Sequence, residues 1–110
     1  MKRGRVMLYM QATIEIPREK SAKFVELLTN KFAPLAAKHG MKLVGSWQTV
    51  VGVQDEFTDL WAFDNMEHYA AVFRSMVKDP EFQKTFDEIR SLAVHEVTKL
   101  MRPLPVSTLK

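Results

Sequence analysis

Residues 6 to 16 alternate between two kinds of side chain. Val6, Leu8, Met10, Ala12, Ile14 and Ile16 share one parity, and Met7, Tyr9, Gln11, Thr13 and Glu15 share the other. This period of two predicts a long strand with one apolar face and one mixed face. Pro17 ends it by bringing no donor to the ladder. From Glu19 to Lys38 the period changes. Phe24, Val25, Leu28, Phe32, Leu35 and Ala36 recur at three- and four-residue spacing, which predicts an amphipathic helix. Pro34 lies inside it, cannot bond the carbonyl of Asn30, and should kink the last turn. Gly40 is placed to close the helix, with Lys38 and His39 at the negative end of its dipole.

Two further strands are expected, over about 42–51 and 57–63, joined by a turn centred near Gln54. A turn symmetric about Gln54 sets Trp47 opposite Trp61 and Thr49 opposite Asp59, so that both indoles leave one face. A slip of one residue would undo that arrangement. Asp64, with Glu67 three residues on, has the spacing of a capping box. Met66, Tyr69, Ala70, Phe73 and Val77 then fall on one helical face. Asp79-Pro80 stops this helix and caps another, whose stripe is Phe82, Phe86, Ile89 and Ala93. A last strand over about 94–101 runs into Arg102-Pro103-Leu104-Pro105, and the final five residues read as a tail.

The order β-α-β-β-α(α)-β predicts an α+β, ferredoxin-like fold: a four-stranded antiparallel sheet with helices on one face. The other face is expected to carry Met7, Tyr9, Trp47, Trp61 and Phe63. Aromatic side chains bury roughly 150–250 Å² each, so such a patch exceeds what a monomer usually leaves uncovered. Two copies packed sheet to sheet would cover it, which predicts a homodimer.

Composition narrows the function classes. A chain of 110 residues has the size of one domain, with an expected core over about 6–105. It is 46% hydrophobic and 26% charged, in the range of an ordinary soluble protein. The net charge of +3 is spread among 13 acids, which argues against a nucleic-acid partner. Lys2, Arg3 and Arg5 form the densest basic cluster and read as a solvated end. With no cysteine there is no disulfide, thiolate nucleophile or Cys-ligated zinc. No apolar run follows the basic start, and none approaches the roughly 18 residues of a membrane span. The expected location is cytoplasmic.

One resemblance covers most of the chain, from Leu8 to Pro105. It is carried by Pro34 with His39-Gly40, Lys42-Leu43-Val44-Gly45-Ser46-Trp47, Leu60-Trp61-Ala62-Phe63-Asp64, Asp79-Pro80-Glu81-Phe82 and Leu100-Met101-Arg102-Pro103-Leu104-Pro105. In this order these segments resemble the NIPSNAP family, a branch of the dimeric α/β-barrel group. The first strand departs from the family: Tyr9-Met10-Gln11-Ala12-Thr13-Ile14 stands where members often read Tyr-Glu-Leu-Arg-Thr-Tyr. Any role of that Glu and Arg is not carried over. The resemblance implies a single domain that pairs into a dimer with a cavity between the sheets. It implies no one reaction, because the wider group includes cofactor-free monooxygenases, haem enzymes, lactone isomerases and proteins of no known activity.

The candidate chemistry is sparse. Asp59 is an acid in an apolar strand, between Phe57 and Trp61 at period two. If buried with them its pKa should rise, as a general base or acid requires. Otherwise it faces solvent or pairs with a cation. Tyr9, Gln11, Trp47 and Trp61 are the candidate ligand-binding residues, and the same surface could equally be dimer core. Glu96 and Lys99 have opposite parity, so only one can face a cavity. His39 reads as a helix-end partner and His68 as solvent-exposed. His95 is the one reasonable axial ligand for haem, a distant third reading. His95-Glu96-Val97-Thr98-Lys99 lacks the second histidine of a zinc-protease motif, and no phosphate loop or dinucleotide fingerprint is present. The leading expectation is an intersheet cavity for a small apolar or aromatic molecule, with no cofactor or metal and with acid–base or oxygenase chemistry at Asp59. The rival is a non-catalytic homodimeric interaction module.

Overall fold

The computed structural model describes residues 7–109. Four strands form one antiparallel sheet: β1 (Leu8–Glu15), β2 (Lys42–Gln48), β3 (Glu56–Phe63) and β4 (His95–Met101), in the order β2-β3-β1-β4. The helices are α1 (Ser21–Leu27), α2 (Ala33–Lys38), α3 (Met66–Val77) and α4 (Pro80–Leu92). This is the ferredoxin-like α+β arrangement expected from the element order. Among the described residues, no helix is long and apolar enough to cross a membrane. The basic cluster Lys2, Arg3 and Arg5 lies outside the described residues.

Pro34 acts on the helix before it. Its missing N–H leaves the Asn30 carbonyl without its usual partner, and the residues Leu28–Phe32 form a π-helical turn between α1 and α2. The chain then closes as expected at Gly40, whose φ of 96° only glycine adopts readily. The Met41 and Gly40 amides donate to the carbonyls of Ala36 and Ala37, both at 3.0 Å, which is the Schellman pattern. The cap of α3 is one residue later than Asp64. Asn65 accepts from the His68 amide at 2.8 Å, while the Asp64 amide donates to His68 Nδ1 at 2.9 Å. Asp79 caps α4 as expected, accepting from the Glu81 amide at 3.0 Å.

The β2–β3 register corrects the sequence reading. Trp47 lies opposite Thr58 and Ser46 opposite Asp59, with Leu43 opposite Trp61. The reason is the turn, which carries Gly52 at φ 126° near its centre and not Gln54. The Thr49 amide donates to the Glu56 carbonyl at 2.9 Å and closes the loop around that glycine. A bulge between Leu43 and Gly45 shifts the far end again. The two indoles therefore leave opposite faces.

The helix-facing side follows from the pairings. Leu8 opposes Phe63, Met10 opposes Trp61, Ala12 opposes Asp59 and Ile14 opposes Phe57. Leu8, Met10, Trp61 and Phe63 pack with Leu35, Met41, Val72, Met76 and Phe82. Ala12, Ile14 and Phe57 pack with Phe24, Leu28 and Ile89. Trp61 and Phe63 thus belong to the core of their own chain, and their expected place on the open face is overturned. The open face carries Tyr9, Gln11, Trp47, Leu60, Val97 and Met101.

Candidate functional site

One row of side chains runs across the sheet on its helix side: Ser46 on β2, Asp59 on β3, Ala12 on β1 and Thr98 on β4. The rows on either side are larger, with Met10 and Trp61 on one and Ile14 and Phe57 on the other. The methyl of Ala12 leaves a notch between them. Above it lies a cavity of about 310 Å³ between sheet and helices. Phe24, Leu28 and Phe32 line it from the first helical segment, and Phe73, Met76, Val77, Phe82, Phe86 and Ile89 from α3 and α4. Leu28 and Phe32 are the two ends of the π-helical turn, so the distortion at Pro34 shapes this wall. Such turns are frequent at functional sites.

Asp59 is only 2% exposed. Ser46 Oγ donates to its Oδ1 at 2.5 Å. No other hydrogen bond to the Asp59 carboxylate is present among the described residues. No sealed side-chain oxygen or nitrogen there lacks a partner, so the free Oδ2 has open space beside it, and Asp59 lines the cavity. Burial pushes the Asp59 carboxyl above its ordinary value. The Ser46 bond pulls it down, and the charge of Glu96 adds to the rise.

Glu96, opposite Ile14, takes the helix side and lines the cavity from the edge strand. Lys99, opposite Gln11, takes the open face. That decides which of the pair meets the cavity. Gln83 and Thr98 are the remaining polar side chains in its wall.

The other expected ligand-binding residues lie elsewhere. Trp61 is with Asp59 at the cavity, its ring edge-on to Phe32 at 5.8 Å. Tyr9, Gln11 and Trp47 sit on the opposite side of the sheet. The expected four-residue pocket is therefore split by the sheet itself. Gln11 is 3.5 Å from Thr13 Oγ1, a long contact. Trp47 is 55% exposed and lies across Gly45, where a Cβ would come within 2.5 Å of the indole. Tyr9 is 8% exposed. With Leu60 and Met101 it lines a groove of about 400 Å³ whose far wall is Arg102–Leu104 and Ser107–Leu109. The segment read as a tail folds back on the sheet.

The histidines take structural places. His39 Nδ1 lies 2.6 Å from Ser75 Oγ, and Nε2 lies 2.7 Å from Asp79 Oδ2. This joins the C-terminal ends of α2 and α3 to the N-terminus of α4. The His39 bond, above all, holds the Asp79 carboxyl below its ordinary value. His68 accepts from the Asp64 amide, so this ring nitrogen carries no proton. It is half-buried beside Phe63, not out in solvent. His95 opposes Glu15 on the open face, and no histidine lines the cavity, so the cavity does not fit a histidine-ligated haem. Among the described residues no three His, Cys, Asp or Glu side chains gather as a metal site.

A single ferredoxin-like sheet with a buried acid beneath its helices defines the class: a small α+β domain built around an apolar pocket. The family follows from comparison. The NIPSNAP family model matches residues 9–108, and the chain belongs to that family. Solved structures agree on the fold. A NIPSNAP family protein from Agrobacterium tumefaciens superposes with a TM-score of 0.88 at 16% identity, over 100% of this chain and 96% of that one. A second, of unknown function and from the same organism, gives 0.86 at 21% identity, over 98% and 97%. An uncharacterised NIPSNAP domain protein from Burkholderia xenovorans gives 0.82 at 21% identity, over 91% and 97%. No curated protein matches the sequence.

Proposed function

We propose that this protein binds a small, largely apolar molecule between its sheet and helices and exchanges a proton with it at Asp59. The carrying observation is a buried acid, 2% exposed, with a free oxygen facing a cavity of about 310 Å³ whose wall is mostly apolar. A buried carboxyl is costly unless satisfied or used, and only one Asp59 oxygen is satisfied. In the ionised form Oδ2 accepts a proton from a bound X–H group, and the electron pair of that bond stays on X. Ser46 holds Oδ1 and so aims Oδ2. Such a proton removal is the opening step of cofactor-free acid–base or oxygenase chemistry. Burial sets the carboxyl nearer the working pH, where general catalysis is most effective.

The open face supports a second part of the proposal, a homodimer that leaves the cavity to each subunit. Trp47 and Val97 are exposed there beside Leu60 and Met101, and a two-fold pair is the simplest cover. Dimer formation alone, with no ligand, is the rival reading.

Carboxylate NMR tests the acid. A folded-state Asp59 pKa above the ordinary value of about 3.9 supports the proposal, and one at or below it ends the proton-transfer role. Ala12→Leu tests the pocket, since it fills the notch before Asp59. It is expected to leave a folded protein that no longer binds indole, used as an apolar probe.

A further inference from the structure

Among the described residues, the charges lining the cavity are all of one sign. Its wall holds two carboxylates, Asp59 and Glu96, and, among the described residues, no Lys, Arg or His. They are not neighbours. Asp59 opposes Ala12 and Glu96 opposes Ile14, so they lie two strands apart and one side-chain row out of step. Asp59 is buried, whereas Glu96 is exposed on the edge strand. One acid stands at the mouth and the other at the floor, with aromatic and aliphatic side chains between. Gln83 and Thr98 are neutral, and the Ser46 hydroxyl donates a hydrogen bond to Asp59. Among the described residues the floor acid therefore has no positive partner, and its free oxygen faces the cavity.

Resting on the binding role proposed above, we infer that the cavity selects a molecule with a basic nitrogen on an aromatic or aliphatic body, and rejects carboxylates and phosphates. The ammonium or iminium N–H takes the place beside Asp59 Oδ2, while the body fills the space lined by Phe32, Trp61, Phe73 and Phe86. Glu96 draws the cation to the mouth and disfavours an anion there. Electrostatics at this depth is strong because little water screens it. Burial, above all, pushes the Asp59 carboxyl up, and the charge of Glu96 adds to it. A bound cation relieves it, and a bound anion makes it worse. The aromatic wall adds cation–π attraction.

Three probes of one shape and different charge test this by calorimetry at neutral pH: tryptamine, 3-ethylindole and indole-3-acetate. Tryptamine is expected to bind at least about tenfold tighter than 3-ethylindole, and indole-3-acetate at least about tenfold weaker. Asp59→Asn and Glu96→Gln should each narrow the gap between tryptamine and 3-ethylindole. Glu96 is exposed, so that variant does not depend on repacking a core. Equal binding of all three, or preference for the acetate, overturns the charge class and leaves the pocket reading standing. If none of the three binds at about 1 mM, the pocket reading falls with it.

Discussion

Trp61 and Trp47 show how much one residue's place in the sheet decides. Trp61 is buried among Met10, Phe32, Phe63 and Phe82, whereas Trp47 is more than half exposed. Trp61→Ala is expected to cost roughly 3–5 kcal/mol, the range for a core tryptophan. Denaturant unfolding measures it, and a cost under about 1 kcal/mol would show an exposed ring. Asp59 makes the opposite prediction. Its carboxyl is raised, so the folded state binds this proton more readily than the unfolded chain does. Its contribution is most favourable below the ordinary carboxylate pKa and is lost as pH rises through the folded value. Asp59→Asn keeps an oxygen for Ser46 and removes the charge. It is expected to stabilise the protein at neutral pH and to lose that advantage near pH 3, read from thermal midpoints across pH. A variant less stable at neutral pH would mean that the charge is satisfied. Asp59 was visible in the sequence as a lone acid in an apolar strand. Ser46, its partner, was not, because only the true register sets the two opposite each other.

At the scale of elements, the helix ends carry the clearest electrostatic device. His39 bridges Ser75 and Asp79, and Asp79 also caps α4. A carboxyl held low adds stability that is present above its ordinary pKa and lost as pH falls through the folded value. His39→Ala is therefore expected to flatten the acid limb of the stability profile, below about pH 4. An unchanged acid limb would show that His39 does not hold Asp79. The elements themselves were largely legible from apolar period, Pro34, Gly40 and Asp79-Pro80. The hairpin was not. A long loop offers several centres, and the choice of Gly52 depends on which residue can take a positive φ. The bulge at Leu43/Gly45 leaves no mark in the apolar pattern either. The facing of β3 was open to better use of one rule: Phe57, Trp61 and Phe63 form its more apolar parity, as the even positions do on β1, and both parities go to the helices.

Over the whole molecule, the sheet separates two apolar surfaces with different proposed uses. The helix side encloses the cavity with Asp59, and the open side carries Trp47 for a partner copy. The dimer is expected to scatter light as twice 12.7 kDa; a mass near 12.7 kDa at micromolar concentration would reject it. Because one tryptophan lies on each side, the chain carries its own reporter of where a ligand goes. The most direct measurement is a titration with indole or tryptamine, following the two native indole N–H signals by NMR, assigned with Trp47→Phe. Binding in the cavity beside Asp59 predicts that the Trp61 signal shifts and saturates while the Trp47 signal stays in place. A shift of Trp47 with Trp61 unmoved, or no shift of either, would contradict it.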